Sequence, residues 1–233
     1  FNSSGGSSRL FIFENSGDNA FNLMYNSIVA GGDVGEKVIT DLDGDGLMEI
    51  AFSNSYGYVY VYESPADNAW QRVWSYNTEM YVAYGVDVGK DADGNGKPEL
   101  FVCGTTWDYP PEWGIPYYTT FIYESSGDDS LTEVARLRFT DESSNGSGMN
   151  ALGNLDGVGP QEYIVRAYGV LLVYRATAPA TWTEILRIAD PNPSGIHKEP
   201  YTIDVNHNGR DELMWTTDVS IETGEHTLVL EHP

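Results

Sequence analysis

Four stretches of this chain, residues 41–49, 91–99, 154–162 and 204–212, align place for place, each with oxygen-bearing side chains at the first, third and ninth places and glycine at the sixth. In the first the oxygens belong to Asp41, Asp43, Asp45 and Glu49, and in the second to Asp91, Asp93, Asn95 and Glu99. In the fourth they belong to Asp204, Asn206, Asn208 and Glu212. Side chains entering at alternate places of one short loop surround a single hard cation, and the backbone carbonyls of Leu47, Lys97 and Arg210 at the seventh place add another oxygen to the shell. Calcium takes about six to eight oxygens in flexible geometry, whereas magnesium holds a tighter octahedron and keeps its water, so the pattern points to calcium. The third stretch has Val158 where the fifth oxygen is required and Pro160 beyond it, and is expected to be a metal-free turn. That leaves about three calcium sites, the fourth weaker for its lower charge. Gly46, Gly96, Gly159 and Gly209 supply the conformation the sharp turn needs.

Loops of the EF-hand type also open Asp-x-Asp-x-Asp-Gly, but they close at the twelfth place and run into a helix. Here the closing carboxylate is at the ninth place and an apolar run follows each copy: 50–52, 100–103, 163–165 and 213–215. Short strand-like stretches precede them at 37–40, 82–88, 149–152 and 201–203. Aromatic or β-branched runs come next at 58–62, 119–123, 170–174 and 227–230, then more polar ones at 70–74, 131–139 and 182–188. Each is bounded by Gly, Pro, Asn, Asp or Ser. Four strands in a unit of about 50 residues is the arithmetic of a propeller blade. The fold expected is therefore all-β, a β-propeller of four-stranded antiparallel blades forming a single domain over 1–233. The blade units are 1–30 (partial), 34–80, 81–140, 147–190 and 198–233 (partial). Runs 10–13 and 21–25 read as the third and fourth strands of the first unit, giving about seventeen strands in all. Either the chain is part of a larger propeller or about five blades close on themselves.

In these loops and their phase the chain resembles the FG-GAP/VCBS repeats of integrin α-subunit heads and secreted bacterial propellers. The resemblance covers nearly the whole chain, departing from the pattern at Val158 and at the incomplete ends. It implies calcium loops on first-to-second-strand hairpins at one face, ligands meeting the opposite face, and a secreted or cell-surface adhesion module.

The loop starts lie 50, 63 and 50 residues apart, so the second full unit carries an insertion. It is rich in stiff aromatic surface, Trp107, Tyr109, Trp113, Tyr117 and Tyr118, with Asp108 and Glu112 as acceptors for sugar hydroxyls. Such a loop, joining second and third strands, is expected to project from the face away from the metals. It serves either recognition of a carbohydrate or protein ligand or the covering of a neighbouring unit.

The rest of the composition narrows the function classes. With 35 Asp+Glu against 12 Lys+Arg the net charge is −23, which disfavours nucleic acid and anionic lipid. No apolar run reaches the roughly 18 residues of a membrane span. The single cysteine, Cys103, allows no intrachain disulfide and sits in an apolar run, as a small core residue does. The chain opens at Phe1 without a signal-like segment, as a processed or excised piece would. No nucleophile elbow, zinc helix or phosphate loop is present. Of the four histidines, His197 alone is placed to act as a base. The expectation is a non-catalytic binding module. The alternatives are the propeller domain of a calcium-dependent polysaccharide lyase and a structural scaffold within a larger surface protein.

Overall fold

The computed structural model describes residues 2–4, 6–106, 117–139, 149–167, 170–189, 200–218 and 225–230. They form eighteen strands and no helix. The strands make five antiparallel sheets, each a meander of consecutive strands. The first sheet holds β1 (Asn2–Ser4), β2 (Ser7–Gly17) and β3 (Ala20–Gly31). The second holds β4 (Val34–Thr40), β5 (Glu49–Asn54), β6 (Tyr58–Ala66) and β7 (Ala69–Asn77). The third holds β8 (Val82–Gly89), β9 (Glu99–Thr106), β10 (Tyr117–Gly127) and β11 (Ser130–Phe139). The fourth holds β12 (Met149–Gly153), β13 (Glu162–Ala167), β14 (Val170–Ala178) and β15 (Thr181–Ala189), and the fifth β16 (Tyr201–Ile203), β17 (Glu212–Asp218) and β18 (Glu225–Leu230). The short strand β1, too polar to read as a strand, raises the expected count by one; it pairs with Ser7–Arg9 of β2.

Burial follows the apolar runs. Every residue of β5 and β13 is buried, as are the first six of β9, because these second strands have a sheet on each face. The outer strands β7 and β15 are mostly exposed, with a few half-buried residues and none buried. Four apolar clusters lie between successive sheets. Leu10 and Val29 of the first sheet pack with Phe52, Tyr60 and Tyr62 of the second. Val59 and Val61 pack with Leu100, Val102 and Tyr123 of the third. Phe101 and Ile122 pack with Tyr163 and Leu172 of the fourth, and Ile164 and Val173 with Leu213 and Trp215 of the fifth. The first strands also adjoin one another in chain order, β4 beside β8, β8 beside β12 and β12 beside β16. Where β12 meets β16, a Cβ on Gly153 would stand 2.5 Å from Thr202 Cβ, so only glycine allows that approach.

The last two strands of four sheets are joined by two-residue turns, with Asn19, Asn68, Asp129 and Ala180 at φ of 55 to 59°. Asn and Asp tolerate this left-handed conformation better than other residues with a Cβ. A meander alternates its connections between two ends. First-to-second and third-to-fourth connections therefore share one end of each sheet, and second-to-third connections occupy the other.

Candidate functional site

The four acidic loops are the first-to-second-strand connections of the second to fifth sheets, so each is suspended between two paired strands. The sixth-place glycines adopt the left-handed conformation expected of them, at φ of 92, 91, 79 and 85°. The fourth place is left-handed too: Gly44, Gly94 and Gly157, and in the last loop His207 at φ 60°. Side chains of the odd places fold back on the loop. Asp41 accepts the N–H groups of Gly44 (2.7 Å) and Gly46 (3.1 Å), and Asp45 accepts that of Leu47 at 2.7 Å. Asp91 accepts Gly96 N–H at 3.0 Å, and Asn95 accepts Lys97 N–H at 2.9 Å. In the fourth loop Asp204 accepts Asn208 and Gly209, and Asn208 accepts Arg210.

The ninth-place glutamates, Glu49, Glu99, Glu162 and Glu212, are all buried. In each, Oε2 accepts the backbone N–H of the second loop place: Leu42 at 2.5 Å, Ala92 at 2.7 Å, Leu155 at 2.9 Å and Val205 at 2.7 Å. This residue therefore anchors the loop through one oxygen and turns the other toward the loop interior. The fate of that second oxygen differs. Glu99 Oε1 takes the N–H of Asp93 at 3.2 Å, and Glu212 Oε1 takes the amide of Asn206 at 2.6 Å. Glu49 Oε1 is buried and has no protein partner.

Two glutamates on the third strands belong to these sites and were not among the expected residues. Register places Glu63 opposite Glu49 and Glu124 opposite Glu99. Both are buried. Carboxylate oxygens of Asp45, Glu49 and Glu63 lie within 4.8 Å of one another, as do those of Asp41, Asp43 and Asp45, and those of Asp91, Asp93 and Glu99. Glu124 accepts the Asn95 amide at 2.7 Å. The sequence carried a signal, since Tyr62-Glu63-Ser64 and Tyr123-Glu124-Ser125 repeat.

Electrostatics follow from this crowding. Burial pushes the Glu49 carboxyl up to about 7, against the pull of the Leu42 N–H and helped by Asp43, Asp41 and Glu63. Burial likewise pushes Glu99 to about 8, with Asp93 adding to it. Glu63, Glu124 and Asp129 are raised in the same direction, each mainly by burial and then by neighbouring carboxylates. An orphaned buried oxygen inside a cluster of carboxylates is what a hard cation relieves, so the residues of the first loop could hold a metal ion; the second loop has a carboxylate cluster without the orphaned oxygen.

In the third loop Arg175 follows Tyr174, whose partner across β13 and β14 is Tyr163, the residue after Glu162. Its guanidinium donates to Glu162 Oε1 from Nε at 2.8 Å and from Nη2 at 2.6 Å, and Nη2 also meets Asp156 Oδ2. Val158 points into solvent, 73% exposed. This loop, which lacks the fifth-place oxygen, carries a cationic side chain bonded to its two carboxylates.

The expected ligand-binding residues separate. Trp107, Asp108, Tyr109, Glu112 and Trp113 lie outside the described residues, and of Tyr117 the backbone pairing with Thr106 is described. Tyr118 is a correction: it is 1% exposed, within β10 and packed in the cluster between the third and fourth sheets. The strand begins two residues earlier than its apolar run suggested, because pairing with Thr105 carries it inward. Cys103 is buried, its thiol pushed well above the usual range by that burial and next to Asn150 Oδ1 at 3.2 Å. His207 is exposed on its loop.

Comparison with known proteins agrees with the loop geometry. Residues 41–102, from the first loop through the first half of β9, match the FG-GAP-like repeat family. No curated protein matches the chain by sequence. Among solved structures, a lectin of Agrocybe aegerita, described for its specific recognition of non-reducing terminal N-acetylglucosamine, aligns at 14% identity and a TM-score of 0.33. The alignment covers 84% of this chain and 66% of that one. At that TM-score the sugar recognition remains a statement about the lectin.

Proposed function

We propose that this chain is a non-catalytic, calcium-binding recognition module built as a β-propeller, complete or part of a larger one, and that it works outside the cell or on its surface. The observation that carries the metal reading is Glu49 Oε1, buried without a partner amid Asp45, Glu63 and the rest of the first loop. Face-packed four-stranded meanders whose first strands adjoin in chain order support the propeller reading. In it, calcium removes the repulsion inside the acidic loops and fixes one end of the sheets. The other end is then free to present a ligand surface.

A carbohydrate or protein ligand is assigned to that opposite end. The strands β9 and β10 stop there at Thr106 and Tyr117, and the inserted segment with Trp107 and Trp113 runs between them. Stiff aromatic side chains give contact area at small entropic cost. The test has two arms. Titration of chelator-stripped protein with calcium should show saturable binding and a rise in melting temperature, and an unchanged melting temperature overturns the metal reading. Trp107→Ala with Trp113→Ala should abolish binding on a glycan or protein array while leaving the calcium-dependent melting intact. Retained array binding removes the segment from the recognition surface.

A further inference from the structure

The residue facing the ninth-place glutamate changes sign along the chain. It is Glu63 in the second sheet and Glu124 in the third, by strand register, and Arg175 in the fourth, by its guanidinium bonds to Glu162. All three occupy one position of the repeat, directly after the tyrosines Tyr62, Tyr123 and Tyr174 on the third strand. Around the first loop this makes five carboxylates, Asp41, Asp43, Asp45, Glu49 and Glu63, with no Lys or Arg bonded to any of them among the described residues. Around the third only Asp156 and Glu162 remain, and both are bonded to the Arg175 guanidinium.

We propose, resting on the calcium reading above, that this third-strand residue selects the cation of each loop: Glu63 and Glu124 complete divalent-ion sites, and Arg175 closes the third loop with a tethered cation. Two observations independent of the acidic clustering carry it. The guanidinium already lies between the third-place and ninth-place carboxylates of its own loop, which shows that this pocket accepts a positive group. In the first loop, where Glu63 takes that position and no cationic side chain does, the ninth-place Oε1 is left buried and unpartnered. The third loop also keeps an unused ligand, since Asn154 Oδ1 at its first place is buried without a partner. A change of sign at residue 175 therefore leaves oxygens of Asp156, Glu162 and the new side chain where the guanidinium stood, with Asn154 Oδ1 unpartnered in the same loop. The partner of Glu212 in the fourth loop lies outside the described residues, so the rule covers the first three loops.

The test counts bound ions in the intact chain, stripped with chelator and titrated with calcium by calorimetry, with terbium luminescence as a second readout. Arg175→Glu should bind one more equivalent than wild type, and its melting temperature should fall in chelator and recover in calcium. Glu63→Arg should bind one equivalent fewer, and its melting temperature should respond less to calcium. Equal stoichiometry in wild type and Arg175→Glu overturns the selector and leaves the calcium reading standing. A wild type that binds no ion overturns the calcium reading itself. Should Arg175→Glu fail to fold even in calcium, Glu63→Arg decides alone: loss of one equivalent sustains the selector, and full retention overturns it.

Discussion

Asp43 Oδ2 accepts the backbone N–H of Asp129 at 2.9 Å, joining the first acidic loop to the β10–β11 turn of the next sheet. The same bond recurs one sheet on, where Asp93 Oδ2 accepts the N–H of Ala180 at 2.7 Å. Both donors stand at the left-handed second residue of a two-residue turn, which aims the N–H out of its own sheet and toward the loop. The third-place aspartate therefore has two duties, offering Oδ1 to its own loop and Oδ2 to the neighbouring sheet. These duties separate by mutation. In chelator, Asp43→Asn keeps an acceptor and should melt near wild type, while Asp43→Ala should lose about 1–2 kcal/mol with the bond. In calcium both should lose the first site. Equal melting of the two variants in chelator would show that the intersheet bond contributes nothing.

Without metal, stability should fall as pH rises. Glu49 and Glu99 have folded-state values of about 7 and about 8 against an ordinary 4.5, raised first by burial. A folded-state value above the unfolded one means that the folded protein holds protons the unfolded chain has released. That contribution is complete below about pH 4.5 and is lost as pH climbs through 7 and 8. Glu63, Glu124 and Asp129 shift in the same direction. Glu184, lowered chiefly by its bond to Arg187, acts oppositely but below the ordinary value, outside this window. Melting in chelator from pH 5 to 8 should decline, and Glu49→Gln should flatten part of the slope. Calcium should reverse the trend, because ion and proton compete for the same oxygens.

His207 is the one non-glycine residue at a fourth loop place, held at φ 60° where the other three loops have Gly. A left-handed residue with a Cβ costs roughly 1–2 kcal/mol, part of which a glycine returns through its freer unfolded chain. His207→Gly should raise stability by up to about 1 kcal/mol by denaturant melting. Gly44→Ala, the converse at φ 83°, should lower it by about 1 kcal/mol.

Sheet packing predicts a contrast between two phenylalanines. Phe52 is fully buried between the first two sheets, with Tyr60 and Tyr62 rings centred 5.5 and 5.7 Å away. Phe13 occupies the repeat position of Tyr62, Tyr123 and Tyr174, which pack against the preceding sheet, yet it is 57% exposed. Phe52→Ala should cost about 3–5 kcal/mol through the cavity it leaves. Phe13→Ala should stay within about 1 kcal/mol. Similar losses at both would mean that something covers Phe13 in solution.

The strands, their order and the four loops were legible in the sequence because each rests on short-range regularities. Alternation along a strand is written in adjacent residues, and Asp41, Asp43, Asp45 and Gly46 shape one turn among themselves. The departure of the third loop from the pattern was legible too, through Val158. The guanidinium of Arg175 that meets its two carboxylates was not. Glu49 meets Glu63 and Glu99 meets Glu124 across paired strands, and Glu162 meets the Arg175 guanidinium, at unequal separations in the chain, since the second-to-third connection varies in length from sheet to sheet. Only the hydrogen-bond register, fixed once strands pair, brings those residues face to face. The bonds from Asp129 to Asp43 and from Ala180 to Asp93 are further from view, because they join different sheets and exist only after the sheets have packed. Tyr118 shows the same limit. An aromatic residue at the end of a loop-like run reads as surface, and pairing with Thr105 between two sheets turned it into core.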